Sequence, residues 1–197
     1  MEITAGQVKE LRERTGAGMM ECKRALQESG GDVEKAIDLL RVRGAAKVAK
    51  RAGREATEGQ VTSYVHMGGK VGVLLELNCE TDFVARNDQF QQLAKDLCMH
   101  IAAMSPLAVT PEEIPAEVIE KERAVSLEKV KNDGKPAHLH EKIVDGMIRK
   151  FYQEHALLDQ AFVKDPDRKI RDVVQDVAAS TGENIVVRRF VRYALGE

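Results

Sequence analysis

The feature that most constrains this chain is a change of hydrophobic period at Gln60. Before it, apolar residues recur three and four positions apart, as on a helix; after it they alternate, as on a half-buried strand. Val61–His66 and Val71–Asn78 flank Met67-Gly68-Gly69-Lys70, and the glycine pair supplies the positive φ angles of a tight hairpin turn. The second arm, Val71-Gly72-Val73-Leu74-Leu75-Glu76-Leu77, is apolar enough to sit centrally in a sheet. A last strand is expected over Ile185–Leu195, with Ile185, Val187, Val191 and Tyr193 on one face and Val186, Phe190 and Ala194 on the other. With apolar residues on both faces, both sides are expected to be covered. Helical and alternating segments in this order predict an α+β architecture, a three-stranded antiparallel sheet with helices on one face. The remaining face or edge is open to a second copy of the chain.

Three short helices are expected ahead of the switch. Thr4 and Gln7 form a capping box, Val8 and Leu11 share a face, and Gly16 and Gly18 turn the chain. Met19, Cys22, Ala25 and Leu26 follow at helical spacing up to Gly30-Gly31, and Asp32 caps a third helix with Val33, Ala36, Ile37 and Leu40 inward. A unit of about 40 residues is close to the lower limit for independent folding, so residues 1–44 read as a docking domain. Residues 45–59 read as a linker helix with Lys47, Lys50, Arg51 and Arg54 on one stripe. That stripe is either an RNA or acidic-partner patch or a solvated face; Glu55 and Glu58 directly after it, and the lack of interleaved aromatics, favour the latter. Residues 60–197 are read as the α+β core and expected dimerisation domain. Within it, Phe90, Leu93, Ala94, Leu97 and Ile101 line a long amphipathic helix. Residues from about 110 to 157 read as a helical hairpin that starts near Thr110-Pro111-Glu112-Glu113 and breaks at Asn132–Pro136, with Val118, Val125, Ile143, Met147 and Phe151 as its apolar positions. A further helix carries Ile170, Val173, Val174 and Val177.

Several classes of chemistry lack their residues. The 30 basic side chains nearly balance 32 acidic ones, leaving a net charge of -2 and no overall pull toward nucleic acid or anionic membrane. No glycine loop follows a strand with a lysine placed to hold phosphate, so no direct nucleotide binding is expected. His138 and His140 lie in a charged stretch, His66, His100 and His155 are isolated, and neither pattern matches a metal site. Cys22, Cys79 and Cys98 are too scattered for a disulfide framework, and Cys79 at a strand end has no basic partner to activate it. No apolar run reaches the roughly 20 residues that span a bilayer, and Met1–Gly6 has no leader pattern. A cytoplasmic protein that is not an enzyme and carries no cofactor or metal is expected.

One stretch stands apart. Glu76-Leu77-Asn78-Cys79-Glu80-Thr81-Asp82-Phe83-Val84-Ala85-Arg86-Asn87 ends a strand in polar residues and at once offers Phe and Val. By pattern alone two readings stay open. Thr81 or Asp82 caps the next helix and Phe83 begins its core stripe with Asn87 and Phe90, or Phe83 is exposed and binds a partner.

The run Glu76–Arg86 is similar, residue for residue, to the hallmark segment of the elongation factor Ts family, guanine nucleotide exchange factors of elongation factor Tu. A second hallmark of that family stands at Leu11-Arg12-Glu13-Arg14-Thr15-Gly16-Ala17-Gly18-Met19-Met20-Glu21-Cys22-Lys23-Arg24-Ala25-Leu26. The resemblance covers essentially the whole chain and is to the short form, with one sheet-forming unit where longer relatives have two. It implies a UBA-like N-terminal domain that docks on the GTPase, elongation factor Tu, through the region of Leu11, Arg12, Met19 and Met20. It further implies that Thr81, Asp82, Phe83 and Val84 enter near the partner's magnesium and phosphate site and promote GDP release. A homodimer is implied, in which a second chain supplies the missing half of a two-by-two complex. A structural or RNA-associated adaptor is the rival from another class, with salt-sensitive RNA binding as its mark.

Overall fold

The computed structural model describes residues 3–197. Met1 and Glu2, the first residues of the Met1–Gly6 stretch, lie outside the described residues. The chain divides into two compact units, one formed by residues up to Gln60 with Leu77–Leu93 and Asp172–Val186, the other by Val61–Glu76, Ala94–Arg171 and Val187–Glu197.

The first unit opens with α1 (Ala5–Thr15), α2 (Met19–Glu28) and α3 (Val33–Arg51). The expected capping box is present: Gln7 N–H donates to Thr4 Oγ1 at 3.3 Å and Thr4 N–H to Gln7 Oε1 at 3.0 Å. Asp32 caps α3, its carboxylate accepting from Lys35 N–H at 3.1 Å. Val8, Leu11, Cys22, Ala25, Leu26, Ala36 and Leu40 form the core of these helices, each buried leucine contributing about 1.5–3 kcal/mol. The third helix and the linker helix, read from the sequence as separate elements on either side of Gly44, are one helix here. Glycine suits that point because a Cβ on Gly44 would stand only 3.1 Å from Ala179 Cβ, on α8 (Ile170–Thr181). The three-helix group therefore rests on a neighbour, which relieves the small-domain limit. Two residues of the basic stripe are paired, Lys47 to Glu21 and Arg54 to Glu80.

A three-stranded sheet runs in the order β1-β2-β5, from β1 (Glu58–Val65), β2 (Val71–Cys79) and β5 (Val186–Ala194), so the most apolar strand is central, as its sequence requires. The hairpin turn closes with His66 N–H on Val71 O at 2.9 Å, and Gly68 and Gly69 hold φ of 85° and 69°. Leu195 N–H meets Lys70 O at 2.9 Å, pairing the far end of β5 with the start of β2, so these strands too are antiparallel. Gly59 is imposed by close approach: its φ is 140°, and a Cβ there would lie 2.2 Å from Leu77 O.

In the second unit the part of helix α5 (Asp88–Met104) from Ala94 onward lies against one face of the sheet. Cys98 Sγ–H donates to Thr62 O on β1, and Arg192 Nε–H on β5 donates to Ala102 O at 3.3 Å. The opposite face leaves Val61, Val65, Leu74, Val191 and Tyr193 exposed. The expected face assignment of the last strand needs correction here. Ile185 and Val187 are buried, but beyond Arg188 and Arg189 the inward positions become Phe190, Arg192 and Ala194, while Val191 and Tyr193 point out. Two successive exposed residues shift the alternation by one, as an extra residue in a strand does.

The expected helical hairpin is α6 (Ala116–Asn132) and α7 (His140–His155). Its first helix begins at Ala116 rather than near Thr110, because Pro111–Glu113 makes only one tight turn and Pro115 precedes the helix start. Val130, Val144 and Ile148 fill the seam with Leu127, Ile143 and Met147 beside them, whereas Val125 is exposed. A short hairpin of β3 (Ala161–Phe162) and β4 (Asp165–Lys169), not anticipated from the sequence, precedes α8. It is tied down by buried His100, whose Nδ1 accepts from Val163 N–H at 3.2 Å. The ring proton therefore sits on Nε2, 2.9 Å from Gln160 Oε1, and the Gln160 amide donates to Glu154 O at 2.7 Å. Burial lowers the His100 pKa, which keeps the ring neutral.

Candidate partner-binding site

The segment that follows β2 forms a single helical turn, α4 (Asp82–Ala85). Thr81 is its N-cap, the side-chain oxygen accepting from Val84 N–H at 3.4 Å. Immediately beyond, Asn87 Oδ1 accepts from Gln89 N–H at 2.8 Å and starts α5. The turn is therefore capped at its start and followed at once by a capped helix. Asp82 points toward solvent and pairs with Arg86 at 3.0 Å, an exposed contact of little energetic weight. Val84 is half-buried. Phe83 is 82% exposed, so it does not begin the core stripe of α5, which starts at Phe90.

The underside of the turn is polar and closely tied. Glu183, in the loop after α8, accepts from Glu80 N–H and Thr81 N–H at 3.0 Å each and from the Thr81 hydroxyl at 2.6 Å. In the other direction Glu80 accepts from Asn184 N–H at 2.7 Å and from Arg54 at 3.2 Å. Asn184 Nδ2–H donates to Arg54 O at 2.9 Å. The Asn184 amide, and then the Arg54 guanidinium, hold the Glu80 carboxyl below its usual range. None of Arg54, Glu80, Glu183 and Asn184 was singled out from the sequence as part of the site. Thr181-Gly182 marks a turn there, but nothing local says that the next two residues reach back to Glu80.

Cys79, beneath the segment, donates its S–H to Thr81 O at 3.1 Å. Burial, and then the negative charge of Glu183, push its thiol up to about 11, so it is a protonated core residue at neutral pH and not a nucleophile.

The N-terminal positions fall into two classes. Met19 and Met20 are exposed, Met20 at 63%, and Arg12 is exposed on α1. Leu11 is fully buried in the three-helix core, so its side chain is not itself exposed. Gly16 brings this unit's elements close, since a Cβ there would stand 3.6 Å from both Gln89 Nε2 and Ser180 Cβ. Ser180 Oγ–H in turn donates to Gln89 Oε1 at 2.7 Å. Among the described residues there is no group of three or more His, Cys, Asp or Glu side chains placed to hold a metal ion. Among the same residues no helix is long and apolar enough to cross a membrane.

The Phe83 ring thus stands exposed on an anchored turn. Comparison with known proteins gives it a context. The family model described as elongation factor TS matches residues 7–197. Elongation factor Ts of Citrifermentans bemidjiense is 59% identical over 197 residues, which is all of this chain and 91% of that protein. The protein of that name from Fervidobacterium nodosum is also 59% identical, with both chains covered completely. That of Syntrophobacter fumaroxidans is 53% identical over 196 residues, or 98% of its length. Matched along nearly its whole length in this way, the chain belongs to the elongation factor Ts family of translation elongation factors.

Proposed function

We propose that this chain is a cytoplasmic guanine nucleotide exchange factor for the GTPase elongation factor Tu, and that Phe83 is the side chain that dislodges GDP. The observation that carries this reading is the 82% exposure of a large apolar ring on a turn whose backbone is already anchored. Such a ring gains about 1.5–3 kcal/mol on burial in a partner, and a held turn loses little conformational freedom when it binds. A GTPase holds GDP through its phosphates and a magnesium ion, whose near-octahedral coordination tolerates little displacement. Insertion of Phe83 with Thr81, Asp82 and Val84 beside that site shifts the ion's supports, and the nucleotide is held less well. The coupling is reciprocal: factor and nucleotide weaken each other's binding by one and the same factor, so incoming GTP expels the exchange factor. No covalent step is involved, and the chain binds no nucleotide or metal of its own.

Arg12, Met19 and Met20, with Leu11 beneath them, form the separate docking surface. A second copy of the chain covers the exposed sheet face of Val61, Val65, Leu74, Val191 and Tyr193, giving a homodimer and a two-by-two complex. A contiguous apolar face of this kind is a common mark of association.

The direct test is stopped-flow release of a fluorescent GDP from purified elongation factor Tu, with and without this chain. The expected result is a saturable acceleration of release with no GTP hydrolysis by the chain alone. A release rate indifferent to the chain would remove the proposal.

A further inference from the structure

The carboxylate of Glu183 is used in a way that neither solubility nor simple stability requires. It reaches across from the loop after α8 and accepts three donors from two successive residues, Glu80 N–H, Thr81 N–H and Thr81 Oγ1–H. The last of these is decisive. A hydroxyl has one proton to give, and the 2.6 Å contact directs it to Glu183 Oε1. The lone pairs of Thr81 Oγ1 are thereby left for Val84 N–H, which they accept at 3.4 Å. Glu183 thus sets the polarity of the cap that starts the turn bearing Phe83. The Glu80 carboxylate, held by Asn184 N–H and Arg54, returns the contact in the opposite direction and fixes residues 183 and 184 against residue 80. A one-turn helix of four residues is too short to hold itself together, because nucleation consumes more order than so few hydrogen bonds restore.

We propose that Glu183 is the positioning residue of this site: its carboxylate holds the Thr81 cap and so presents the Phe83 ring in one orientation for insertion. The proposal rests on the exchange reading for its consequence but not for its geometry, and the two are tested apart.

The first measurement needs no partner. Amide hydrogen exchange at Glu80, Thr81 and Val84 in the free chain is expected to speed up at least tenfold in Glu183→Ala. Glu183→Gln, which can keep the two backbone donors on its one oxygen but reverses the hydrogen bond to Thr81, falls between. Unchanged exchange in both variants overturns the proposal.

The second measurement is stimulated GDP release from elongation factor Tu. Glu183→Ala is expected to lower the maximal stimulated rate about tenfold while the half-saturating concentration stays within twofold, since the Arg12, Met19 and Met20 surface is untouched. In a Phe83→Ala background the same substitution is expected to add less than twofold, because the group it positions is gone. Losses that multiply would show a general structural effect and overturn the positioning role. Should Glu183→Ala not fold, Glu183→Gln carries both measurements. If the unaltered chain leaves GDP release unchanged, the exchange reading falls, and the hydrogen-exchange result alone then decides whether Glu183 holds the turn.

Discussion

Replacing Phe83 by alanine separates the two readings that the sequence left open, because they place the ring in opposite environments. The ring is 82% exposed in the free chain, so its loss is expected to change folding stability by less than about 0.5 kcal/mol. Had it begun the core stripe of α5, the same truncation would cost about 3–5 kcal/mol. In the proposed complex the balance reverses. Burying the ring in the partner gains about 1.5–3 kcal/mol, and about 1.4 kcal/mol corresponds to a tenfold change. Stimulated GDP release is therefore expected to fall roughly 10- to 150-fold. The loss should appear chiefly in the maximal rate, since an interaction formed only as the nucleotide loosens acts there and not on initial docking. Stopped-flow release of fluorescent GDP over a range of factor concentrations measures both quantities, and thermal unfolding of the variant measures the first. A variant that still stimulates release within twofold of the parent would refute the insertion of this ring, and one that loses several kcal/mol of stability would return it to the core.

Three other outcomes follow from particular contacts. Gly59→Ala is expected to destabilise the chain by about 2–4 kcal/mol, because its Cβ would meet Leu77 O at 2.2 Å on a backbone with φ of 140°; an unchanged melting temperature would contradict that close approach. For His100, burial lowers the folded pKa, while the unfolded chain takes up its proton near about 6.5. The stabilisation is then complete above that pH and is lost as pH falls from there toward the folded value. Melting temperatures between pH 7 and 5 should drop in the parent chain and drop less in His100→Gln, and parallel profiles would show that another group governs the acid limb. Tyr193, 74% exposed on the open sheet face, tests the proposed homodimer: sedimentation should find a dimer in the parent chain and a shift toward monomer in Tyr193→Glu. A parent chain that is monomeric at working concentration would remove the dimer.

What the sequence carried on its own is what short-range physics decides. The Thr4 capping box and the Asp32 cap depend on residues three positions apart. The β1–β2 hairpin depends on a glycine pair between two alternating runs, and the central place of β2 on its continuous apolar row of Val73, Leu75 and Leu77. The two long segments, Leu11–Leu26 and Glu76–Arg86, carried the family resemblance and with it the positions of the candidate site. Tertiary structure decided the rest, because burial is a property of what packs opposite and not of the residue itself. Pattern could not say whether Phe83 was core or surface, that Leu11 is fully buried, or that the alternation of β5 shifts at Arg188 and Arg189. Nor could it reveal that α3 runs through Gly44, where a Cβ would stand only 3.1 Å from Ala179 Cβ. Least legible of all was the grip of Glu183 on Thr81, two residues 102 positions apart. A hydrogen bond across that separation exists only after the chain has folded and brought two loops within 3 Å, and no local spacing encodes it.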